Sequence, residues 1–252
     1  MKSTVHEVYR GEVDHWWFAA RRAIFARVLD TWLAHERVRR VLDLGPGFGV
    51  NAPVLAARGS WIPLDVATPS LNGCRASGPA LPVRADATRP PFAAGSIDLI
   101  CALDVLEHLD DDVAALRAWR EAIAPDGMLL LSVPAFQVLW GRQDVLSEHR
   151  RRYRAPQLRA RLEAAGFTVL HLTYFNFLLF LPILGVRLLM RPFLARSVAA
   201  GGSDLSMPLP VVSGLLRAAL AAERFWVARR RLPFGVSLLA VATPNARAER
   251  GS

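Results

Sequence analysis

Residues 41–49 have the sequence Val-Leu-Asp-Leu-Gly-Pro-Gly-Phe-Gly, a short apolar run followed by three glycines at alternate positions. Such a run is typical of a buried parallel strand that leads into a tight turn. Because glycine has no side chain, the backbone at Gly45, Gly47 and Gly49 can approach a bound ligand closely. The amides at the start of the following helix would face the same crevice. The stretch therefore predicts a nucleoside-cofactor site, and the alternative is a tight turn that binds nothing.

The rest of the chain alternates between patterns typical of strands and of helices. Helical patterns occupy residues 51–58, 111–124 and 156–165, and Gly166 follows the last of them. The predicted strands lie at residues 40–44, 61–66, 81–86, 97–103, 128–133, 167–174 and 237–242. This alternation predicts an α/β fold with a doubly wound, seven-stranded, Rossmann-like sheet.

Two segments fall outside the alternation. An amphipathic helix is predicted at residues 14–35, and its aromatic start could fold over the site as a lid. A segment rich in Leu, Phe, Arg and Pro, predicted to be mainly helical, is inserted between the last two strands. The predicted parts are thus an N-terminal lid segment (1–36), a core (37–174), the insertion (175–233), the last strand (234–244) and a tail (245–252).

Three aspartates stand at the ends of consecutive predicted strands: Asp43, Asp65 and Asp86. In an open α/β sheet the carboxyl ends of the strands face the ligand crevice, where a carboxylate can bind ribose hydroxyls. The position of Asp65 suits that role, and Asp86 is placed to accept a hydrogen bond from an adenine amine. Each aspartate alone could be a surface acid or a helix cap, but three at one sheet edge favour an adenosine-containing cofactor.

The glycine motif and the sequence PPFAAGSIDLICALDVLEHL at residues 90–109 together resemble the class I S-adenosylmethionine-dependent methyltransferases. The resemblance covers residues 38–174. The sequences HWWF at 15–18 and EHRRRYR at 148–154 are similar to a bacterial, type 11/12-like subgroup of that class. The resemblance implies the seven-stranded fold, S-adenosyl-L-methionine as the cofactor, and methyl transfer as the reaction.

The resemblance also implies roles for residues around the cofactor. Asp43 and the loop from Gly45 to Gly49 would bind the cofactor, with the loop at its methionine end, and Asp65 would bind the ribose. The adenine would contact Asp86 and Ala87, and the sulfonium would lie near Asp104 and Val105.

The acceptor side is less constrained by the sequence. Methyltransferases that act on nucleobase amines have an Asn/Asp-Pro-Pro-aromatic element after the fourth strand, but residues 103–109 are Leu-Asp-Val-Leu-Glu-His-Leu. Nucleic acid is therefore disfavoured as a partner, and a small-molecule acceptor is expected. No metal-ligand spacing is found, so no metal site is predicted, and Cys74 and Cys101 are expected to be free thiols.

Histidines are the candidate catalytic residues, because an acceptor hydroxyl or acidic carbon needs a base. The candidates are His149, His15 and His108 in that order, and a structural or solvated role is the alternative for each. The arginine-rich run 150–154 could be an anion clamp for the acceptor or a solvated helix start.

The net charge of +9 is concentrated in residues 175–252, which contain ten arginines and three acidic residues. The stretch 177–186 is uncharged and apolar, and a further helix is predicted at 211–231. This combination predicts either a helical cap over the site or a peripheral contact with an anionic membrane surface. No run reaches the about 18 apolar residues of a membrane-spanning helix. Because the N-terminus lacks the apolar core of a signal peptide, a cytoplasmic location is expected, with any membrane contact on the inner face.

The sequence therefore predicts methyl transfer from S-adenosylmethionine to a small, apolar or lipid-like acceptor by in-line displacement. Two alternatives stay open at this stage. One is a nicotinamide-dependent oxidoreductase, which Val50 disfavours because it stands where the dinucleotide fingerprint has its last glycine. The other is a non-catalytic membrane-peripheral protein that keeps the fold. Nothing in the sequence indicates an oligomeric state.

Overall fold

The computed structural model describes residues 16–33, 38–193, 218 and 220–245. Its centre is a seven-stranded sheet in the order β3-β2-β1-β4-β5-β7-β6. The first five strands are parallel, and β7 runs antiparallel to both of its neighbours. The strands are β1 (Arg40–Leu44), β2 (Ser60–Asp65), β3 (Val83–Arg84), β4 (Ile97–Leu103), β5 (Ile123–Pro134), β6 (Phe167–Phe175) and β7 (Ser237–Pro244). The predicted doubly wound α/β fold is confirmed.

Helices flank the sheet on both faces. Within the described residues they are α1 (Trp16–Trp32), α2 (Ala52–Leu55), α3 (Thr68–Ser77), α4 (Asp112–Ala122), α5 (Arg142–Leu146), α6 (Ala155–Ala164), α7 (Phe180–Met190) and α8 (Arg224–Val227). Short 3₁₀ turns lie at Leu106–His108 after β4, at Gln137–Leu139 after β5 and at Arg191–Phe193 after α7. The helices α3 and α5 are absent from the sequence prediction, and α2 is shorter than the predicted 51–58.

Two strands differ in length from the prediction. Strand β3 pairs with β2 through only two residues, so it is shorter than the predicted 81–86. Strand β5 begins earlier than residue 128, because Ile123 pairs with Ile97 before the register shifts. Residues 125–127, which lie between the predicted helix 111–124 and the predicted strand 128–133, are therefore an irregular part of β5.

Each face of the sheet has its own hydrophobic core. On one face, α4 and α6 pack through fully buried side chains that include Trp119 and Leu158. On the other face, α1 contributes Ile24, Phe25, Val28 and Leu29, none more than 2 % exposed. The predicted N-terminal helix is thus, over its described part, a structural layer of the core as well as a neighbour of the site. Cys74 and Cys101 are both buried free thiols, as predicted.

The insertion lies between β6 and β7, as the sequence predicts. Its described part contains α7 and α8, and the carboxylate of Glu223 accepts hydrogen bonds from the amides of Phe177 and Leu178 at 3.0 Å each. Residues 194–217 and 219, with most of the first half of the helix predicted at 211–231, lie outside the described residues. Across the described ranges, each helix is too short or too polar to cross a lipid bilayer.

Candidate functional site

A cavity of about 550 Å³ opens at the carboxyl ends of β1, β2 and β4. This is the point where the strand order of the sheet reverses, and open α/β sheets bind their ligands there. The volume lies within the range of roughly 300–1,000 Å³ that is usual for ligand pockets. Its walls come from α1, the loop of residues 45–49 (the glycine loop), the loops after β2 and β4, and the segment after α5. The lining residues are Phe18, Arg21, Phe25, Gly45, Pro46, Gly47, Phe48, Val50, Asn51, Asp65, Val66, Ala67, Ser70, Leu103, Asp104, Val105, His108, Ser147, Glu148 and Arg150.

The glycine loop forms the floor of this cavity. Gly45 and Gly47 both have φ of +58°, a left-handed conformation that favours glycine. A Cβ on Gly45 would lie 2.9 Å from Cγ2 of Val105, so a side chain there would collide with the loop after β4. At Gly47, by contrast, no atom lies within 4 Å of the Cβ position. The loop therefore offers bare backbone and free space to a ligand, while Gly49 does not line the cavity.

Asp65 ends β2 and lines the cavity. One carboxylate oxygen accepts the amide of Ala67 at 2.9 Å, and the other accepts the hydroxyl of Ser70 at 2.8 Å. The same hydroxyl also donates to the carbonyl oxygen of Gly47. The carboxylate is thereby fixed against the glycine loop, and it is only partly buried, so it is open to further hydrogen bonds from a ligand.

Asp43 lies beneath the loop, 1 % exposed, and does not line the cavity. Its carboxylate accepts a hydrogen bond from Nε1 of Trp61 at 3.0 Å. Burial raises the pKa of Asp43 to about 7, the Trp61 hydrogen bond opposes this rise, and the nearby charge of Asp65 adds to it. The structure therefore places Asp43 as a support for the floor of the site, and its predicted contact with the cofactor stays a prediction.

Asp86 and Ala87 follow β3 but are not among the lining residues of the cavity. The Asp86 carboxylate is exposed and accepts the amide of Thr88 at 2.8 Å. The carbonyl oxygen of Ala87 accepts Nε1 of Trp119 at 2.7 Å. Their predicted contact with adenine stays a prediction, and Val66 and Ala67, which the sequence reasoning missed, line the cavity after β2.

Asp104 and Val105 follow β4 and both line the cavity, where the sequence predicts them. Asp104 has φ of +61°, an uncommon backbone conformation for a residue with a side chain. Its carboxylate is held by Nη2 of Arg21 at 2.6 Å and by the hydroxyl of Ser132 at 3.0 Å. Backbone conformations that are rare elsewhere, and that neighbouring side chains hold in place, cluster at functional sites.

Arg21 is the main residue that the sequence reasoning missed. It comes from α1, its side chain is 7 % exposed, and it donates to Ser132 as well as to Asp104. Its guanidinium also lies over the rings of Trp17, Phe25 and Phe175, 5.1–5.7 Å from their centroids. An arginine on the buried stripe of a predicted amphipathic helix is the signal that could have identified it.

The described histidine candidates lie side by side. His108 lines the cavity, and the rings of His108 and His149 meet edge to face with centroids 4.7 Å apart. Burial, aided by the neighbouring His149, lowers the pKa of His108 to about 4, which keeps its ring neutral at neutral pH. His149 stands behind it and meets Asp144 through Nδ1 at 2.9 Å. His15 lies outside the described residues.

Ion pairs hold several arginines of the run 150–154 in place. Arg150 lines the cavity, donates to the carbonyl oxygen of His108 at 2.9 Å and pairs with Asp110 at 2.9 Å. Arg152 donates to both oxygens of Asp144 at 2.7 and 2.9 Å. Of the run, Arg150 is therefore the residue that the structure brings to the cavity.

Comparisons with known proteins agree with this geometry. The family described as "Methyltransferase domain" matches residues 15–172. A Mycolicibacterium smegmatis protein named "Probable S-adenosylmethionine-dependent methyltransferase" is 30 % identical over 62 % of this chain and 61 % of that protein. A Neisseria meningitidis "Ubiquinone biosynthesis O-methyltransferase" is 29 % identical over 52 % of this chain and 65 % of its own length. The chain thus spans about three fifths of the length of the curated relatives it matches.

A solved structure shows the same fold. An S-adenosylmethionine-dependent methyltransferase from Mesorhizobium loti superposes with a TM-score of 0.53 and 19 % identity, over 84 % of this chain and 95 % of that one. None of the comparisons favours the oxidoreductase or the non-catalytic alternative. The bare backbone at Gly45 and Gly47 and the fixed carboxylate of Asp65 fit an adenosine-containing ligand. The chain belongs to the class I S-adenosylmethionine-dependent methyltransferases, a family of enzymes whose cofactor is S-adenosyl-L-methionine.

Proposed function

We propose that the chain transfers the methyl group of S-adenosylmethionine to a small, apolar or lipid-like acceptor by in-line displacement. The observation that supports this most strongly is the make-up of the single cavity described above. Backbone at Gly47 and the carboxylate of Asp65 form one part of its wall, and aromatic side chains of Phe18 and Phe25 form another. Polar groups for the cofactor and apolar surface for the acceptor therefore share one cavity.

The chain contributes mainly by positioning. When bound, S-adenosylmethionine supplies an electrophilic methyl group on a sulfonium. Asp65 offers its carboxylate to the ribose hydroxyls, held in place by Ala67 and Ser70. Asp104, fixed by Arg21, sets the backbone of the loop after β4 beside the glycine loop. Holding two reactants in line is worth several kcal/mol of the barrier, so few groups with covalent roles are needed.

The acceptor is proposed to be lipid-like for two reasons. The wall formed by Phe18, Phe25, Phe48 and Leu103 is apolar, and apolar surface on a ligand gains free energy by leaving water. One of the relatives is named as an O-methyltransferase of ubiquinone biosynthesis, and ubiquinone precursors are lipid-like. An acceptor hydroxyl would have to lose its proton near His108, which reaches the cavity, with His149 behind it. His15 remains a candidate for the same role.

Transfer of labelled methyl groups tests this proposal. The purified chain is incubated with methyl-labelled S-adenosylmethionine and either a phenol with a long alkyl chain or the same phenol without one. We expect labelled product and S-adenosylhomocysteine mainly with the alkylated phenol. Equal labelling of both phenols would contradict the lipid-like acceptor, and binding of S-adenosylmethionine without transfer to any phenol, amine or acidic carbon acceptor would contradict the enzyme.

We also propose that α7 and α8 form a peripheral contact with anionic membrane surfaces. None of the eleven residues of α7 is buried, and Leu181 and Leu189 are 66 % and 77 % exposed. On α8, Phe225 and Trp226 are exposed, and Arg224 lies 4.9 Å from the Phe225 ring centroid. Exposed apolar side chains beside arginines are typical of helices that lie in the headgroup region of anionic lipid.

Vesicle co-sedimentation tests this contact. The chain is expected to bind vesicles rich in phosphatidylglycerol more than neutral phosphatidylcholine vesicles, and high salt should weaken the preference. Leu189→Asp should reduce binding, whereas Leu81→Asp, an equally drastic change at another exposed leucine, should not. Equal binding to both kinds of vesicle at low salt, or equal loss with both variants, would contradict the proposal.

A further inference from the structure

Three ligand-type side chains meet behind the wall of the cavity. Glu107 and His108 belong to the 3₁₀ turn after β4, and His149 comes from the segment after α5. Each offers one ligand atom, and these atoms all lie within 4.8 Å of one another. The sequence spacing does not reveal this group, because 41 positions separate the turn from His149 and only the fold brings them together.

Glu107 is the unusual member of the group. It is 0 % exposed, and neither of its carboxylate oxygens accepts a hydrogen bond from another described residue. Nε2 of His149 lies 3.9 Å from its Oε1, too far for a hydrogen bond. Burying a carboxylate without a partner is costly, and buried charges in proteins are paired or coordinate metals. The two oxygens of Glu107 therefore point to a missing positive partner.

The orientation of His149 matches this need. Its Nδ1 meets Oδ1 of Asp144 at 2.9 Å. Asp144 is itself fixed by Arg152 and by the amide of Gly141 at 2.7 Å. A carboxylate that accepts the Nδ1 hydrogen leaves the lone pair of the imidazole on Nε2. This Nε2 atom faces Glu107. Histidines that bind metals are usually held in this way by a carboxylate.

We propose that Glu107, His108 and His149 bind a divalent first-row transition-metal ion, with Zn²⁺ as the reference ion and Asp144 as a positioning residue. Two imidazoles and one carboxylate are a usual donor set for such ions, and they leave coordination positions open. Tetrahedral bonds of about 2.1 Å set ligand atoms about 3.4 Å apart, so a pair at the 4.8 Å limit would have to close by about 1.4 Å. Because His108 lines the cavity, an open position would face the acceptor.

This inference deepens the proposed function. The ion would draw an acceptor oxygen into its open position and favour the deprotonated form of that oxygen. Only this last step rests on the proposed methyl transfer, because the binding of the ion itself depends on the three side chains alone.

Cobalt and zinc binding to the full chain test the site. After treatment with a chelator, Co²⁺ is titrated while its visible absorption is recorded, and Zn²⁺ is then added as a competitor. We expect one tightly bound Co²⁺ with the spectrum of a low-coordinate nitrogen–oxygen site, displaced by one equivalent of Zn²⁺. Glu107→Gln and His149→Asn should each weaken binding at least about tenfold, and Asp144→Asn about 10- to 100-fold.

The control is His171→Asn. His171 is also buried, but it lies on another part of the sheet, where it meets the carbonyl oxygen of Val227 at 2.7 Å, so its loss should leave Co²⁺ binding unchanged. Should Glu107→Gln fail to fold, His149→Asn decides, since its side chain is 13 % exposed and less embedded. No stoichiometric Co²⁺ binding by the wild type, or equal affinity in wild type and His149→Asn, would overturn the site.

Affinity for S-adenosylmethionine is measured on the same samples. A wild-type chain that binds the cofactor but no stoichiometric Co²⁺ would overturn this inference alone. Metal binding without cofactor binding would leave the metal site standing and contradict the proposed function instead.

Discussion

At the scale of single residues, the site depends on a few positions where the surrounding atoms restrict the type of residue that fits. Gly45 has no room for a side chain, because Val105 stands 2.9 Å from its Cβ position. Gly47 has room, but that room is the cavity itself. Asp43 places a carboxyl group below the loop, where burial disfavours its charged form. Substitutions at Gly45 and Asp43 should act mainly on stability, whereas one at Gly47 should act mainly on binding, so the two effects can be measured separately.

The pair of glycines gives the first prediction. Gly47→Ala places a methyl group in open space at a positive φ, which costs about 1–2 kcal/mol of folding free energy. The methyl group also projects into the cavity, so affinity for S-adenosylmethionine should fall by more than tenfold. Gly45→Ala should lower stability more, because it adds the collision with Val105. Urea unfolding and calorimetric titration measure the two effects, and a Gly47→Ala protein that binds the cofactor normally would contradict this view of the loop.

Asp43 gives a prediction about pH. Its pKa is about 7 in the folded chain and about 3.9 in an unfolded one. Between these values the folded state holds the proton more tightly, so this group stabilises the fold fully below about pH 4, and that contribution is lost as pH rises to 7. Relative to the wild type, Asp43→Asn should therefore gain stability between pH 4 and pH 8, by about 2–4 kcal/mol.

Urea unfolding of both proteins at several pH values measures that difference, so that the titration of the other carboxyl groups cancels. Asparagine keeps an oxygen that can accept the Trp61 hydrogen bond. A stability difference that does not change with pH would show that Asp43 does not titrate in this range.

At the scale of elements, what the sequence could predict depends on how strongly a pattern repeats. Buried parallel strands such as β1 and β4 are continuous apolar runs, and their positions are confirmed. Helix α3 was missed because it contains Asn72 and Gly73, which are poor helix formers. Gly73 is there for packing, since its Cβ would lie 2.6 Å from Cδ1 of Phe48 in the glycine loop. Tertiary contacts of this kind have no local signal.

The same limit applies to the candidate site. Asp65 could be predicted from its place at the end of a strand, and Asp104 and Val105 from the resemblance to the methyltransferases; all three line the cavity. Arg21 has a local signal in the buried stripe of its helix, but its partner Asp104, 83 positions away, could not be predicted. Nor could the meeting of Glu107 with His149, which depends on how the segment after α5 returns to the sheet.

Helix α1 gives a prediction at this scale. Replacing Arg21 by Met removes the ion pair with Asp104 and the hydrogen bond to Ser132, and should lower the free energy of unfolding by about 1.5–3 kcal/mol. Because Asp104 lies in the cavity wall, affinity for S-adenosylmethionine should fall as well. Arg27→Met on the same helix serves as the control and should change stability by less than about 0.5 kcal/mol. Equal behaviour of the two variants in urea unfolding would contradict the role given to Arg21.

At the scale of the whole molecule, one sheet edge gathers cavity-lining residues from positions 18 to 150 of the chain. The glycine loop and Asp65 come from the first half of the sheet, and α1 closes one side. The turn after β4 brings His108, and the segment after α5 brings His149 beside it. The insertion adds an exposed apolar surface on α7. The glycine loop, the apolar part of the cavity wall and the exposed apolar face of α7 thus belong to one fold of the methyltransferase family.

The most direct test of the central claim is a calorimetric titration of S-adenosylmethionine into the wild-type chain, Asp65→Ala and Glu121→Ala. Hydrogen bonds to a charged group are worth about 1.5–3 kcal/mol each, so Asp65→Ala should weaken binding at least tenfold. Glu121→Ala, which removes an exposed carboxylate remote from the cavity, should bind like the wild type. Equal affinity in all three proteins would contradict the claim that this sheet edge holds the cofactor.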